Sequence, residues 1–180
     1  MINIFFGEIG SGKSYHGRMI AEKAGIPFYE GDDFLPQKYK DKISKGWPLS
    51  KAEARKFVLI DLVRELDRLY SYHNSRGESF VVSQALYSRM HRNFLFDCFN
   101  RDVRYIWVKS PGFFRHLRQL ANRPHSVMWT ASMLLSKPFF ELPVSSLENR
   151  PAHVLDPSAD NYSENLDLTT RLVAREHHGV

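Results

Sequence analysis

Apolar residues in this chain follow two patterns: short unbroken runs, and longer stretches where they return every three or four positions. The runs read as strands buried on both faces, the stretches as helices with one buried face. The first run is Ile2-Asn3-Ile4-Phe5-Phe6. A helix-compatible stretch follows from Lys13 to Ala24, and Gly25-Ile26-Pro27 ends it. Pro27-Phe28-Tyr29 is then a short second strand. From Ser50 the spacing predicts one long helix, with Phe57, Leu59, Leu62, Val63, Leu66, Leu69 and Tyr70 recurring and Ser75-Arg76-Gly77 closing it. Ser79-Phe80-Val81-Val82-Ser83 reads as a third strand, Arg104-Tyr105-Ile106-Trp107-Val108-Lys109 as a fourth, and His153-Val154-Leu155-Asp156 as a fifth. A closing helix is expected from Asn161 to Glu176. Extended and helical segments therefore alternate, which predicts an α/β domain with a parallel sheet of about five strands and helices on both faces.

Bulk properties narrow this picture. The chain has 180 residues, of which 43% are hydrophobic, enough for one domain over 1–180 with a full core. No internal repeat or low-complexity stretch interrupts it. Cys98 is the single cysteine, which excludes a disulfide framework and a cysteine zinc site and favours a reducing compartment. No run reaches the length of a membrane span or signal peptide, so a soluble cytoplasmic protein with no membrane partner is expected. The formal charge is +5, but the basic residues are scattered, and no nucleic-acid partner is expected.

Gly7-Glu8-Ile9-Gly10-Ser11-Gly12-Lys13-Ser14 carries the chemistry. It fits G-x-x-x-x-G-K-[ST], the phosphate-cradling P-loop, and it lies between a strand and a helix as that motif requires. Glycines let successive amides curl inward onto phosphate oxygens, and the helix beginning near Lys13 aims its positive end at the same anion. The Lys13 ammonium reaches the β- and γ-phosphates, and the Ser14 hydroxyl ligates Mg²⁺. The expected ligand is ATP with Mg²⁺. A dinucleotide fingerprint is excluded, because Tyr15 stands where its third glycine would be.

A second group follows the second strand. Glu30-Gly31-Asp32-Asp33 lies at a strand's carboxyl end, the edge where open α/β sheets bind ligands. Asp32 reads either as the group that orients and deprotonates an acceptor hydroxyl or as an ordinary Asx turn or helix cap. Asp33 caps the following helix or holds water on Mg²⁺. Ser83 and Gln84 end the third strand beside the P-loop and read as ligands of a metal-bound water or of the acceptor, or as a plain polar strand end. No Walker-B aspartate stands on that strand. Lys38, Lys42 and Arg55 read as partners for an acidic substrate or as surface charges. Met128-Trp129 and Met133-Leu134-Leu135 read as packing rather than a cofactor box. His177 and His178 receive no metal.

These segments together resemble the gluconate kinase family, a branch of the P-loop kinases that includes shikimate and nucleoside monophosphate kinases. Gly31-Asp32-Asp33-Phe34-Leu35-Pro36, then Gly46-Trp47-Pro48-Leu49, matches its G-D-[DF]-x-x-P and G-x-P-L pairing. Ser83-Gln84-Ala85-Leu86 is similar to its C-S-A-L, and Tyr105-Ile106-Trp107-Val108-Lys109 to its [FY]-[IV]-[YF]-L-K strand. Arg118, Ala121 and His125 fit its lid pattern R-x-x-A-R-x-x-H. The chain departs at Leu35, where the family has histidine, at Tyr87 and Ser88, where it has lysines, and at Asn122, beside Arg123. An arginine expected soon after P-L falls about one residue away, at Arg55.

The resemblance implies a nucleoside-monophosphate-kinase-like fold with an acceptor-binding insert over 33–74 and a lid over 116–137. It implies transfer of the γ-phosphate of ATP to a small sugar acid, most plausibly gluconate. Lys13, Asp32 and Arg118 would be catalytic. The nucleotide would be held by the P-loop with Arg118 and Arg123, and the acceptor by Asp32, Asp33, Lys38, Arg55, Gln84 and His125. Arg115, Arg118 and Arg123 read equally as a solvated helix face. A homodimer is left open. The alternatives are a kinase for a shikimate-like, nucleotide or other carbohydrate acceptor, a nucleotide-binding regulator without transfer activity, and, less attractively, a hydrolytic NTPase.

Overall fold

A computed structural model describes residues 1–45, 47–110, 140–143 and 152–174. Five strands, β1 (Ile2–Phe6), β2 (Phe28–Glu30), β3 (Phe80–Ser83), β4 (Val103–Val108) and β5 (His153–Leu155), form one sheet in the order β2-β3-β1-β4-β5. Every pairing is parallel, with Ile2 opposite Phe80 and Val103, and Ile106 opposite His153. The strands lie within one or two residues of their expected positions. Their apolar runs have a simple cause: helices cover both faces, so both sets of alternating side chains are buried. Ile2, Ile4 and Phe6 face one core, and Phe5 faces the other. Each such fully buried Ile or Phe contributes about 1.5–3 kcal/mol.

Helices α1 (Lys13–Ala24) and α6 (Tyr162–Ala174) pack together over the face that carries Phe5, Ile20, Val81, Ile106, Leu155 and Val173. Gly25, with φ 69°, caps α1 in the left-handed region, where the sequence places the break. The opposite core gathers Leu62, Leu66, Leu95, Phe96 and Tyr105 beneath α2 (Gln37–Ser44), α3 (Lys51–Lys56), α4 (Val63–Asn74) and α5 (Arg89–Cys98). The architecture is thus the three-layer α/β/α sandwich of the P-loop fold. Among the described residues no helix is long and apolar enough to cross a membrane.

Two elements differ from expectation. The long helix from Ser50 is present and opens on a capping box, in which Ser50 Oγ accepts from Glu53 N and Glu53 Oε2 accepts from Ser50 N. It is interrupted by a π turn at Phe57–Leu62 between α3 and α4. Buried Phe57 and Leu62 stand five positions apart across it, a spacing that an unbroken α-helix does not place on one face. Helix α5 has no counterpart in the apolar pattern, because two of its buried positions are His91 and Arg92. Arg92 is fully buried, donates to the carbonyls of Leu86, Tyr87 and Glu141, and lies over the Phe6 ring. Such a guanidinium fills a core site only because backbone oxygens satisfy it.

Candidate active site

Strand β1 lies between β3 and β4, so the loop leaving it emerges at the sheet's carboxyl edge where strand order reverses. The loop needs its glycines. Gly10 and Gly12 have φ values of 80° and 89°. At Gly7 a Cβ would lie 2.5 Å from the Val108 carbonyl oxygen and 2.7 Å from Ser11 Oγ. Gly12 is the N-cap of α1 and offers no side-chain cap, and the first turn of that helix holds no acidic residue. The first amides of α1 therefore retain their capacity for an anion. Ser11 Oγ is buried and has no hydrogen-bond partner among the described residues. Glu8 accepts a 2.6 Å hydrogen bond from Ser110 Oγ, which ties the P-loop to the end of the β4 segment.

The Ser14 hydroxyl lies 3.0 Å from the Ser83 hydroxyl at the end of β3. Near them stands a carboxylate to which the sequence reading gave no role. Glu30, the last residue of β2, stands in register with Ser83, close enough to both hydroxyls for them to act on its carboxyl. Burial raises its pKa, the Ser14 hydrogen bond works against that, the neighbouring Asp32 raises it further, and Lys13 and Ser83 lower it. An acid at the end of the second strand thus lies beside the end of the third, which carries none.

Gly31 explains how the next residues reach this edge. A Cβ there would meet Gln84 Oε1 at 2.1 Å and the Ser83 carbonyl oxygen at 2.7 Å. Only glycine lets the 3₁₀ turn Gly31–Phe34 lie against the end of β3. The turn carries Asp32 and Asp33 exposed at the surface of the site. Neither caps a helix by its side chain, since the N-cap of α2 is Pro36, so the cap reading of Asp33 does not describe this fold. Gln84 is buried against Gly31, and its Oε1 has no partner among the described residues.

The structure therefore gathers Lys13, Ser14, Glu30, Asp32, Ser83 and Gln84 at one edge. The other expected acceptor residues are more dispersed. Lys42 pairs with Glu53 at 2.6 Å and holds that carboxyl down to about 2. Lys38 lies over the ring of its neighbour Tyr39. Arg55 is exposed on α3 and forms no ion pair among the described residues. Leu35, where the family resemblance expects histidine, is buried in the core. Arg118, Arg123, His125 and the expected lid lie outside the described residues.

Burial lowers the pKa of His16, His91 and His153. The folded chain keeps them neutral at pH values where the unfolded chain protonates them. Stability contributed this way is intact above the ordinary histidine value of about 6.5 and declines as pH falls below it. Glu30, raised by burial, works in the opposite sense. The histidine part is isolated by comparison with His153→Gln. Thermal melts from pH 7 to pH 5 should show Tm falling more steeply for the natural chain than for this variant; equal slopes would contradict the assignment.

No protein-family model matches this sequence. Curated relatives do. The chain is 30% identical over 95 residues to a probable gluconokinase of Xenopus tropicalis, covering 53% of this chain and 47% of that protein. It is 34% identical over 92 residues to the thermosensitive gluconokinase of Escherichia coli strain K12, covering 51% and 46%. The chain spans about half the length of the curated relatives it matches. Among solved structures, a sugar kinase from Janibacter aligns over 99% of this chain and 98% of its own, with TM-score 0.76 and 20% identity. A gluconokinase from Sinorhizobium meliloti aligns over 97% and 87%, with TM-score 0.66 and 22% identity. The fold is that of the P-loop kinases.

Proposed function

We propose that this chain, gluconokinase-like in part of its sequence and kinase-like in fold, transfers the γ-phosphate of ATP to a hydroxyl of a small sugar acid, converting gluconate to 6-phosphogluconate. One observation carries the reading: the P-loop helix and the Asp32 turn meet at one sheet edge, where the Ser14 and Ser83 hydroxyls lie 3.0 Å apart and Glu30 is in register with Ser83. In this reading the amides from Gly7 to Ser14 hold the phosphates and Lys13 spreads the charge that grows on them. Asp32 takes the proton of the acceptor hydroxyl, and Gln84 and Asp33 line the acceptor's side. Phosphoryl transfer asks a protein mainly to position groups and stabilise charge, and these residues suit that task.

Ser14, Glu30 and Ser83 are hard oxygen donors, the kind Mg²⁺ prefers. Among the described residues no three His, Cys, Asp or Glu side chains cluster to hold a metal by themselves. Mg²⁺ in a nucleotide site is characteristically bound by one or two protein oxygens, with phosphate and water completing its shell. When bound, Mg²⁺ neutralises charge on the phosphates. The insert over 33–74 carries the acceptor in this reading.

The test is an ATP-consumption assay with a panel of acceptors: gluconate, other sugar acids, shikimate, neutral polyols and nucleoside monophosphates. Gluconate should stimulate turnover well above the rate without acceptor. Tight Mg·ATP binding with no stimulation by any member would replace the reading with that of a nucleotide-binding regulator.

A further inference from the structure

The glycines of the P-loop give its backbone more freedom than bound phosphates can use, so its order before binding has to come from contacts outside it. Two such contacts hold it, one toward each end. Near the start, Glu8 is tied to Ser110. Near the other end, the ring of His16 lies against Gly12: a Cβ on Gly12 would be 3.2 Å from His16 Cδ2 and 3.4 Å from its Nε2. The His16 amide also donates to the Gly12 carbonyl oxygen at 2.9 Å. Any residue at this place in α1 would make the amide contact; the packing on Gly12 belongs to the ring.

His16 is 7% exposed and is itself fixed from beyond α1. Its Nδ1 shares a 2.9 Å hydrogen bond with the hydroxyl of Tyr162, the first residue of α6. The rings of Tyr15 and Tyr162 meet it edge-on, with centroids 5.1 and 5.7 Å away. Tyr162 closes a folded turn after β5: its amide donates to the Ala159 oxygen, and the Ala159 amide donates to the Asp156 oxygen. The Asp156 carboxylate accepts from Ser158 through one oxygen and from Lys109 Nζ, at 3.0 Å, through the other. Lys109 precedes Ser110, the partner of Glu8. The contacts thus close a circuit that leaves the P-loop at Glu8 and returns to it at Gly12 by way of His16.

We infer that His16 and Tyr162 are positioning residues for phosphate binding, pinning Gly12 so that the amides opening α1 face the anion before it arrives. This rests on the reading of Gly7 to Ser14 as a phosphate cradle and goes beyond it, because it makes a tyrosine on α6 part of the cradle's affinity. Hydrogen bonds from amides to charged oxygens weaken steeply as their direction departs from linear, and a loop ordered in advance loses less freedom on binding. Without the pin the amides are still present, but they are no longer held on one point.

Calorimetry with Mg·ATP and with Mg·tripolyphosphate, alongside thermal melts, tests this. His16→Phe and Tyr162→Phe keep both rings and remove the hydrogen bond between them. Each should weaken both ligands by about 10-fold. The double variant should be no weaker than the weaker single one, because both changes remove the same bond. Tyr162→Phe deletes one oxygen atom and carries the test by itself if His16→Phe fails to fold. His153→Phe is the control for general loss of structure: it removes a 2.8 Å hydrogen bond to Thr169 of the same helix, away from the loop, and should leave both affinities within twofold. Affinities within twofold of the natural chain for Tyr162→Phe, additive losses in the double variant, or an equal loss in His153→Phe overturns the inference and leaves the cradle reading standing. A natural chain that takes up neither Mg·ATP nor Mg·tripolyphosphate sinks both.

Discussion

Lys13→Ala should lower kcat for ATP-dependent phosphorylation by on the order of 10³-fold, while the chain stays folded. Lys13 opens α1 beside the turn of Gly10 and Gly12, and its charge already acts on Glu30 across the sheet edge. In a loose transition state negative charge spreads over the transferred oxygens. An ammonium at that point stabilises it more than it stabilises bound ATP, so the loss falls on kcat beyond any effect on nucleotide KM. Lys13→Met separates charge from side-chain bulk and should be as inactive as alanine. Steady-state rates with a thermal melt alongside decide the matter. A folded Lys13→Ala protein that keeps a tenth or more of its kcat would remove the P-loop lysine from the chemistry.

Asp32→Asn should cut kcat by roughly 10²- to 10⁴-fold, the range expected when a positioned proton acceptor is lost. Mg·ATP binding should change less than twofold, because the phosphates are held from the other side of the edge. The amide keeps the shape of the carboxylate on the Gly31–Phe34 turn, so the fold is untouched. Asp33→Asn is the control on the same turn and should cost much less. Calorimetry for the nucleotide and initial rates for transfer separate the two effects. Full kcat in the Asp32→Asn protein would hand the proton to another group, with Glu30 a neighbouring carboxylate.

The sheet was legible because its physical cause writes itself into sequence. Strands covered on both faces need apolar residues without alternation, and β1 and β3 have them. The P-loop was legible because left-handed backbone at Gly10 and Gly12, and the missing space at Gly7, strongly favour glycine. Helix α5 was hidden by His91 and Arg92, polar residues on a buried face, and part of what satisfies Arg92, the Glu141 oxygen, comes from a segment distant in sequence. The π turn left one trace, the five-residue step from Phe57 to Leu62 inside an otherwise regular periodicity. Glu30 was visible as an acid at a strand end. Sequence alone did not say that β2 would sit beside β3, placing this carboxylate in register with Ser83 and near Ser14.

The buried guanidinium of Arg92 also governs how the molecule breathes. The oxygens of Leu86, Tyr87 and Glu141 share this one cation, and Glu141 N donates in turn to the Tyr87 oxygen. Opening either strand of chain alone would strand carbonyls and a charge in a dry interior. The two stretches therefore detach and re-form as a single cooperative unit, so the stretch that follows β3 and residues 140–143 share one local stability.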